Sequence, residues 1–243
     1  MQIIRLDSVE STNRYCELLD PAEVEELTCY WALEQTAGVG QRGNVWVSGA
    51  RGENLTFSIL LKPVFLPAAE QFRLTQAVSL AVSDWLRRLL PEGCPVLVKW
   101  PNDIYADGGK ICGTLISCRL TGTTIDSAVC GIGLNVNQTK FPSWVPHPTS
   151  VALITGSHHD TAALLPSLLE AIGVRYEQLR HGIDHSSEYL SRLMNLGTPR
   201  RYLYGSLEIT ATVNGVDTFG RLLLTDDHGH RLCCAMKEIA LLD

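Results

Sequence analysis

The chain has 243 residues, a formal net charge of −6 and 45% hydrophobic residues, so it can bury a core without disulfide or metal staples. The acidic balance argues against a nucleic-acid partner, which would need a basic face to neutralise phosphates; Arg87-Arg88 and Arg200-Arg201 are only pairs and read as solvated edges. The eight cysteines form no Cys-x-x-Cys pair, which leaves a zinc or thioredoxin-like site without support and fits buried free thiols in a reducing compartment. No run is long and apolar enough to span a membrane, and Met-Gln-Ile-Ile-Arg-Leu-Asp at the start has no cleavage pattern, so no membrane partner and, by elimination, a cytoplasmic location are expected.

In chain order, Ser11-Thr12-Asn13 offers a hydroxyl or amide cap to a short helix that ends at Asp20-Pro21. Cys29 to Gln35 reads as a strand, followed by a glycine-rich stretch from Ala37 to Asn54 and a buried strand from Leu55 to Leu61. Between Ala68 and Leu90 the period becomes helical, with Leu74, Val78, Ala81, Trp85 and Leu89 on one face and Pro67 and Pro91 as brackets. Strands are predicted at Val96–Lys99, Ile111–Cys118 and Ile125–Gly131, and helices at Leu164–Leu179 and Ser186–Met194. Past Gly197-Thr-Pro199, short β-like runs at Leu207–Val213, Leu222–Thr225, Arg231–Met236 and Ile239–Leu242 alternate with turn residues, which predicts a small all-β unit. The expected division is 1–197 and 198–243.

Gly38-Val-Gly40-Gln-Arg-Gly43 has the spacing of a dinucleotide-binding loop, but that loop must open into a helix. Here it leads to Asn-Val-Trp46-Val-Ser, further glycine and another strand, and no acidic residue lies between Glu53 and Glu70 to take a ribose hydroxyl. Gly38, Gly40, Gly43, Gly49 and Gly52 instead suit a flap with many free N–H groups that folds onto an anionic ligand; the plainer alternative is a flexible connection.

Two further clusters carry chemistry. In Val98-Lys99-Trp100-Pro101-Asn102-Asp103 the proline constrains a turn with opposite charges at its ends, and Lys110 follows in Gly-Gly-Lys110-Ile-Cys-Gly113-Thr-Leu115. A lysine at the start of an apolar strand can point into a cleft, although taken alone it fits a surface position. Gly131-Ile-Gly133-Leu-Asn135-Val-Asn137 ends a strand with two glycines that let a flat ligand approach the backbone.

In order and spacing, Ser11-Thr12-Asn13, Glu34-Gln35-Thr-Ala37-Gly38 through Gly43 with Trp46, Lys99-Trp100-Pro101-Asn102-Asp103, Lys110-x-x-Gly113-x-Leu115 and Gly131-Ile-Gly133-Leu-Asn135-Val-Asn137 resemble the biotin–protein ligases. The resemblance implies an α+β fold: a mixed or antiparallel sheet with helices on one side, like a class II synthetase, plus a small C-terminal SH3-like barrel. It implies ATP and biotin as substrates, Mg2+, and a biotin carboxyl carrier protein domain of a carboxylase as partner, with a homodimer left open. Biotin's carboxylate would attack the α-phosphate to give biotinyl-5′-AMP, and a carrier lysine would then take the biotinyl group. Two anions meet in the first step, so fixed positive charge is required, and Lys110 is the catalytic candidate.

Around biotin the resemblance places Ser11, Thr12, Asn13, Gln35, Gly38, Val39, Gln41, Lys110, Gly113, Leu115 and Gly131. Around ATP it places Gly40, Arg42, Gly43, Trp46, Lys99, Asn102, Asp103 and Asn135, with Asp103 touching the metal through water. Where many relatives carry arginines in the flap, this chain has Val39 and Gln41. Only ten residues precede Ser11, too few for the DNA-binding module of some relatives. The alternatives are a lipoate- or octanoate-attaching enzyme and a non-catalytic biotin sensor.

Overall fold

The structure, a computed structural model, describes residues 1–242 apart from the side chain of Arg42. A seven-stranded sheet is built from β1 (Ile3–Leu6), β2 (Cys29–Ala32), β3 (Leu55–Leu61), β4 (Val96–Lys99), β5 (Asp103–Ala106), β6 (Gly109–Thr121) and β7 (Thr124–Leu134). The spatial order is β1-β2-β3-β7-β6-β5-β4, with β1 parallel to β2 and every other neighbour antiparallel. The expected mixed sheet is present.

Side chains alternate across the strands and create two different faces. Leu55, Phe57, Ile59 and Leu61 of β3 join Cys130, Ile132 and Leu134 in the main core. Helix α2 (Phe72–Leu89) lies against β4, β5 and β6, while α4 (Thr161–Arg180) and α5 (Ser186–Ser191) pack on α2. Helix α1 (Thr12–Glu17) lies on the opposite face, where Cys16, Tyr30, Leu60 and Val129 make a second, smaller cluster. Thus the expectation of helices on one side holds for the large helices and fails for α1, because Tyr30, Leu60 and Val129 alternate with the core residues and need their own cover.

Short elements escaped the sequence reading. These are β1, β5, α3 (Val151–Thr155) and β8 (Pro199–Tyr204). Strand β5 has only four residues between two turns, and β8 buries only Tyr202, so neither shows a period. Ser11 occupies the N-cap position of α1 in extended backbone, but its side chain makes no capping hydrogen bond. Asp160 does cap α4, accepting from the amides of Ala162 and Ala163.

The C-terminal sheet contains β8, β9 (Leu207–Val216), β10 (Leu222–Asp226), β11 (Arg231–Cys234) and β12 (Ile239–Leu242), in the order β11-β10-β9-β8-β12. It is antiparallel throughout, and among the described residues β11 and β12 remain its two edges, so the expected barrel is an open sheet. Its buried side chains, including Tyr202, Val213, Leu224 and Ile239, join the main hydrophobic core. Trp100 Nε1 donates to Gly220 O at 2.9 Å, tying the Lys99–Asp103 turn to the β9–β10 connection.

Candidate active site

The face that carries α1 is not filled by side chains along its centre. Strand register aligns Thr56, Gly133, Gly113 and Asp103 across β3, β7, β6 and β5, and the neighbouring row holds Ser58, Gly131 and Leu115. Three glycines in two adjacent rows leave a trough one side chain deep. A cavity of about 250 Å3 lies over it, lined by residues of α1, the flap, β5, β6 and β7. Larger apolar hollows exist elsewhere, such as a groove of about 780 Å3 between α4 and β1, but only the trough gathers Lys110, Asp103, Asn13 and Gln35.

One end of the cavity is a polar network supported from beneath. Gln35 Oε1 accepts from the Thr12 amide at 2.8 Å and from its hydroxyl at 3.1 Å. Asn13 Nδ2 donates to Leu115 O at 3.1 Å, while its Oδ1 lies 2.6 Å from the Ser58 hydroxyl. Asn13 crosses directly over Gly131, where a Cβ would fall 1.8 Å from Asn13 Oδ1. A glycine at 131 is therefore what allows α1 to approach the sheet. Ser58 is fully buried behind this network and was not foreseen as a site residue; its signal was the polar alternation Thr56, Ser58 inside an apolar strand.

The flap closes the cavity from above as a small hairpin. Val39 bridges Val45, Gly40 N donates to Asn44 O at 2.7 Å, and Trp46 N donates to Gly38 O at 3.0 Å. The Trp46 indole rests on the glycine trough: a Cβ on Gly133 would lie 2.3 Å from the ring, and one on Gly113 would lie 3.3 Å from it. Trp46 Nε1 is buried without a hydrogen-bond partner among the described residues.

At the charged end, Lys110 Nζ lies 2.7 Å from Asp103 Oδ2 and 5.9 Å from the Trp46 ring centre. The Lys110 backbone is fixed independently of its charge. Its amide donates to His147 O at 2.6 Å, and its carbonyl accepts from Thr149 N at 2.9 Å. Asn102 is buried, donates through Nδ2 to Thr114 O, and accepts at its own carbonyl from the Thr114 amide and hydroxyl. The turn holding Asp103 is thus clamped to β6 on one side and, through Trp100, to Gly220 on the other. A positive group beside a carboxylate, in a cavity with polar groups at the far end, suits a ligand that is anionic at one end and hydrogen-bonding at the other.

Of the residues expected around biotin, Ser11, Thr12, Asn13, Gln35, Val39, Gln41, Lys110, Gly113, Leu115 and Gly131 line this cavity, as do Gly40, Trp46, Asn102 and Asp103 from the nucleotide set. Gly38 does not line the cavity; it forms the base of the flap hairpin, where a Cβ would meet Trp46 O at 2.5 Å. Gly43 ends the flap turn at φ +84°, and the side chain of Arg42 lies outside the described residues. Lys99 is not in the cavity: its Nζ is 3.3 Å from Tyr105 Oη, because on β4 it lies beyond Asp103 in the strand order. Asn135 is buried and does not line the cavity; it donates to Thr149 O at 3.0 Å and Lys110 O at 3.5 Å and so holds the Lys110 strand. Thr114, Asn44, Val45 and Pro101 line the cavity and were not foreseen as site residues. They are ordinary side chains brought there by register and by the flap's hairpin. Among the described residues there is no group of three or more His, Cys, Asp or Glu that could hold a metal, and the cysteines are free thiols.

Residues 6–135 match the model of the biotin/lipoate A/B protein ligase family. A bifunctional ligase/repressor BirA of Salmonella typhimurium is 34% identical over 91% of this chain and 69% of its own length. A biotin–[acetyl-CoA-carboxylase] ligase of Paracoccus denitrificans is 30% identical over 85% of this chain and 88% of its own. Among solved structures, the biotin protein ligase of Aquifex aeolicus in complex with biotin and ATP superposes with a TM-score of 0.81 at 28% identity, covering 99% of this chain and 98% of that one. With more than half of its length inside the family model and these relatives aligned across nearly all of it, the chain belongs to the biotin/lipoate A/B protein ligase family, among its biotin–protein ligases.

Proposed function

We propose that this chain activates biotin with ATP to biotinyl-5′-AMP and transfers the biotinyl group to a lysine of a biotin carboxyl carrier protein domain of a carboxylase. The observation that carries the reading is the cavity with Lys110 at one end and the Thr12–Asn13–Gln35–Ser58 network at the other. The polar end suits a ureido ring, whose donors and acceptors would be matched there and would leave this network unpaired under an alkyl chain. The charged end suits the carboxylate.

In activation, a carboxylate oxygen attacks the α-phosphorus, the P–O bond to the β-phosphate breaks, and pyrophosphate leaves. Lys110 turns from Asp103 to the two anionic reactants and stabilises the charge that accumulates where they meet. Asn102 and the Thr114 backbone keep the turn still while this happens, so little reorganisation is needed at the reacting atoms. The flap hairpin and Trp46 exclude water from the mixed anhydride. In transfer, the neutral carrier amine attacks the acyl carbon, the C–O bond to AMP breaks, AMP leaves carrying the negative charge, and the new amide nitrogen gives up one proton to solvent.

Magnesium would supply charge neutralisation on the phosphates. Asp103 is a single carboxylate in the cavity, which fits a cation that arrives on the nucleotide and keeps its waters, not a cage within the protein. Carrier docking is assigned to the outer half of β6. Strand β5 pairs with β6 only as far as Gly113, and the run Ile116–Thr121 continues beside the cavity with one hydrogen-bonding edge open among the described strands. An added strand from the carrier, or from a second copy of the chain, fits this edge. We place the division between the catalytic and C-terminal units at 197/198, where Asn195 and Gly197 take left-handed backbone before β8 begins.

The test is intact-mass spectrometry of a purified biotin carrier domain after incubation with the protein, biotin and Mg-ATP. A gain of one biotinyl group, dependent on ATP and absent when lipoate or octanoate replaces biotin, supports the proposal. Modification by lipoate or octanoate alone moves the assignment to the other branch of the family. Biotin binding without turnover makes the chain a sensor.

A further inference from the structure

We propose that Asn54 is a positioning residue for the flap: it sets where the returning flap strand rejoins the sheet, and through that strand it holds Trp46 on the glycine trough and Val39 and Gln41 over the cavity. The kinetic part of this proposal rests on the function given above; the structural part does not.

Asn54 is 2% exposed and uses its whole amide. Its Nδ2 donates to Ser48 O at 3.0 Å and to Gln138 Oε1 at 2.7 Å, and its Oδ1 accepts from Val136 N at 2.9 Å. Ser48 lies two residues beyond Trp46, at the point where the flap returns. Val136 lies just past the end of β7. One buried amide therefore clips the flap stem to the exit of the central hairpin. A purely apolar residue of similar size would leave Ser48 O and Val136 N buried without these partners.

Independent contacts converge on the same stem. Ser48 Oγ lies 3.4 Å from Gln35 Nε2, so the stem touches the polar end of the cavity. Gly49 takes a left-handed φ of +69°, and a Cβ there would lie 2.8 Å from Glu53 Oε2 and 2.9 Å from Gln138 Oε1. The neighbouring Asn135 holds Lys110 O and Thr149 O. The flap and the Lys110 strand are thus referenced to one short segment, residues 135–136. When the flap closes on ligand, Trp46 and Lys110 meet it from positions fixed against each other. The flap motif, Gly38 to Trp46, closes on itself through Trp46 N and Gly38 O; Asn54, outside the motif, ties the strand that follows this hairpin to the sheet.

The experiment compares Asn54→Asp and Gln138→Leu with the unmodified protein. Asn54→Asp keeps the size and the acceptor for Val136 N, but places a carboxyl oxygen opposite Ser48 O and Gln138 Oε1. Gln138→Leu removes one partner and leaves the Ser48 contact intact. Hydrogen exchange of the free proteins is followed at the Gly40 and Trp46 amides, with the amides of β9 and β10 as reference. The expected result is flap exchange faster by about tenfold or more in Asn54→Asp, near-normal flap exchange in Gln138→Leu, and unchanged reference strands in both. In the biotinylation assay, Asn54→Asp is expected to raise the biotin KM about tenfold with kcat within about twofold. The proposal is overturned by unchanged flap exchange in Asn54→Asp, by loosening spread equally over both sheets, by Gln138→Leu loosening the flap as much, or by a fall in kcat with the biotin KM unmoved. If the unmodified protein does not biotinylate, the functional reading fails while the exchange comparison still decides the role of Asn54.

Discussion

The Lys110 ammonium lies 2.7 Å from Asp103 Oδ2, with a quarter of each side chain exposed. The two are not register partners: Asp103 faces Gly113 and Lys110 faces Tyr105, so the pair runs diagonally across β5 and β6 over a bulge at Ile104/Tyr105. Because Gly113 has no side chain, Asp103 can lean across it, and the ammonium is held over the floor of the cavity in the absence of substrate.

Lys110→Ala is expected to lower ATP-dependent pyrophosphate release by about 10²–10³, the range typical for loss of one preorganised charge-stabilising group. Folding should survive, because Asp103 keeps solvent access and the strand is held by backbone hydrogen bonds of Lys110 with His147 and Thr149 and by the Asn135 amide donating to Ile111 O. Release at the unmodified rate would remove Lys110 from the mechanism.

Gly131→Ala places a methyl group where Asn13 Oδ1 now lies, 1.8 Å away. Helix α1 must lift or Asn13 must abandon Leu115 and Ser58. Overpacking of this kind costs about 1–3 kcal/mol. The expected outcome in calorimetry is a lower melting temperature and at least a tenfold weaker biotin affinity, about 1.4 kcal/mol. Unaltered biotin affinity would mean that the Asn13 network does not form the binding surface.

Val39 pairs with Val45 and lines the cavity together with Gln41, at the two positions where the family resemblance leads one to expect arginines. Val39 has no donor for a phosphate, and Gln41 offers only a neutral amide N–H in place of a charged guanidinium. The adenylate is therefore expected to be lost during gel filtration, and Val39→Arg or Gln41→Arg to retain a larger bound fraction, measured by mass spectrometry of the protein peak. Tight retention by the unmodified protein, unchanged in Val39→Arg, would contradict this.

His185 is 2% exposed at the start of α5; its Nε2 lies 3.3 Å from Gln178 Oε1 and its Nδ1 has no partner among the described residues. Burial, followed by the nearby Arg175, holds its pKa below the usual 6.5, while Asp184 and Glu188 oppose that shift. A depressed pKa means that the stabilisation is present above pH 6.5 and is lost as the pH falls through the folded value, since the unfolded chain takes up the proton more readily. Chemical denaturation between pH 7.5 and 5.5 should therefore show stability falling with pH, and His185→Gln should flatten that slope. At Asp84 burial pushes upward but is outweighed by the hydrogen bonds and charges of Arg175 and Arg192, and at Glu188 the hydrogen bond from Arg175 lowers the pKa, so the contribution of both carboxylates is lost at more acidic pH, outside this window. An equal slope in both proteins would exclude His185.

Much of the site was legible because its chemistry sits in short motifs. Lys110, Asp103, Gln35 and Ser11-Thr12-Asn13 were placed in one site by the order and spacing of the motifs that carry the family resemblance, and they line one cavity. Lys99 and Asn135 stood in the same motifs yet fall outside it. Adjacent strand residues point to opposite faces or lie beyond a neighbouring strand, and one-dimensional spacing does not say which.

The long amphipathic helix α2, the glycine flap between two strands, the β-rich C-terminal part and the family could all be read along the chain, since each rests on a period or a local motif. Contacts between distant segments were needed to see that α1 covers the opposite face, that the C-terminal sheet stays open among the described residues, and that Gly113, Gly131 and Gly133 align into a trough. Such contacts alone join Asn54 to Ser48 and Val136, 82 residues apart from the latter in sequence. The physical reason is range: periodicity and turn chemistry act over a few residues, whereas register, the burial of one strand face against another, and the pairing of buried polar groups are settled only when distant segments meet.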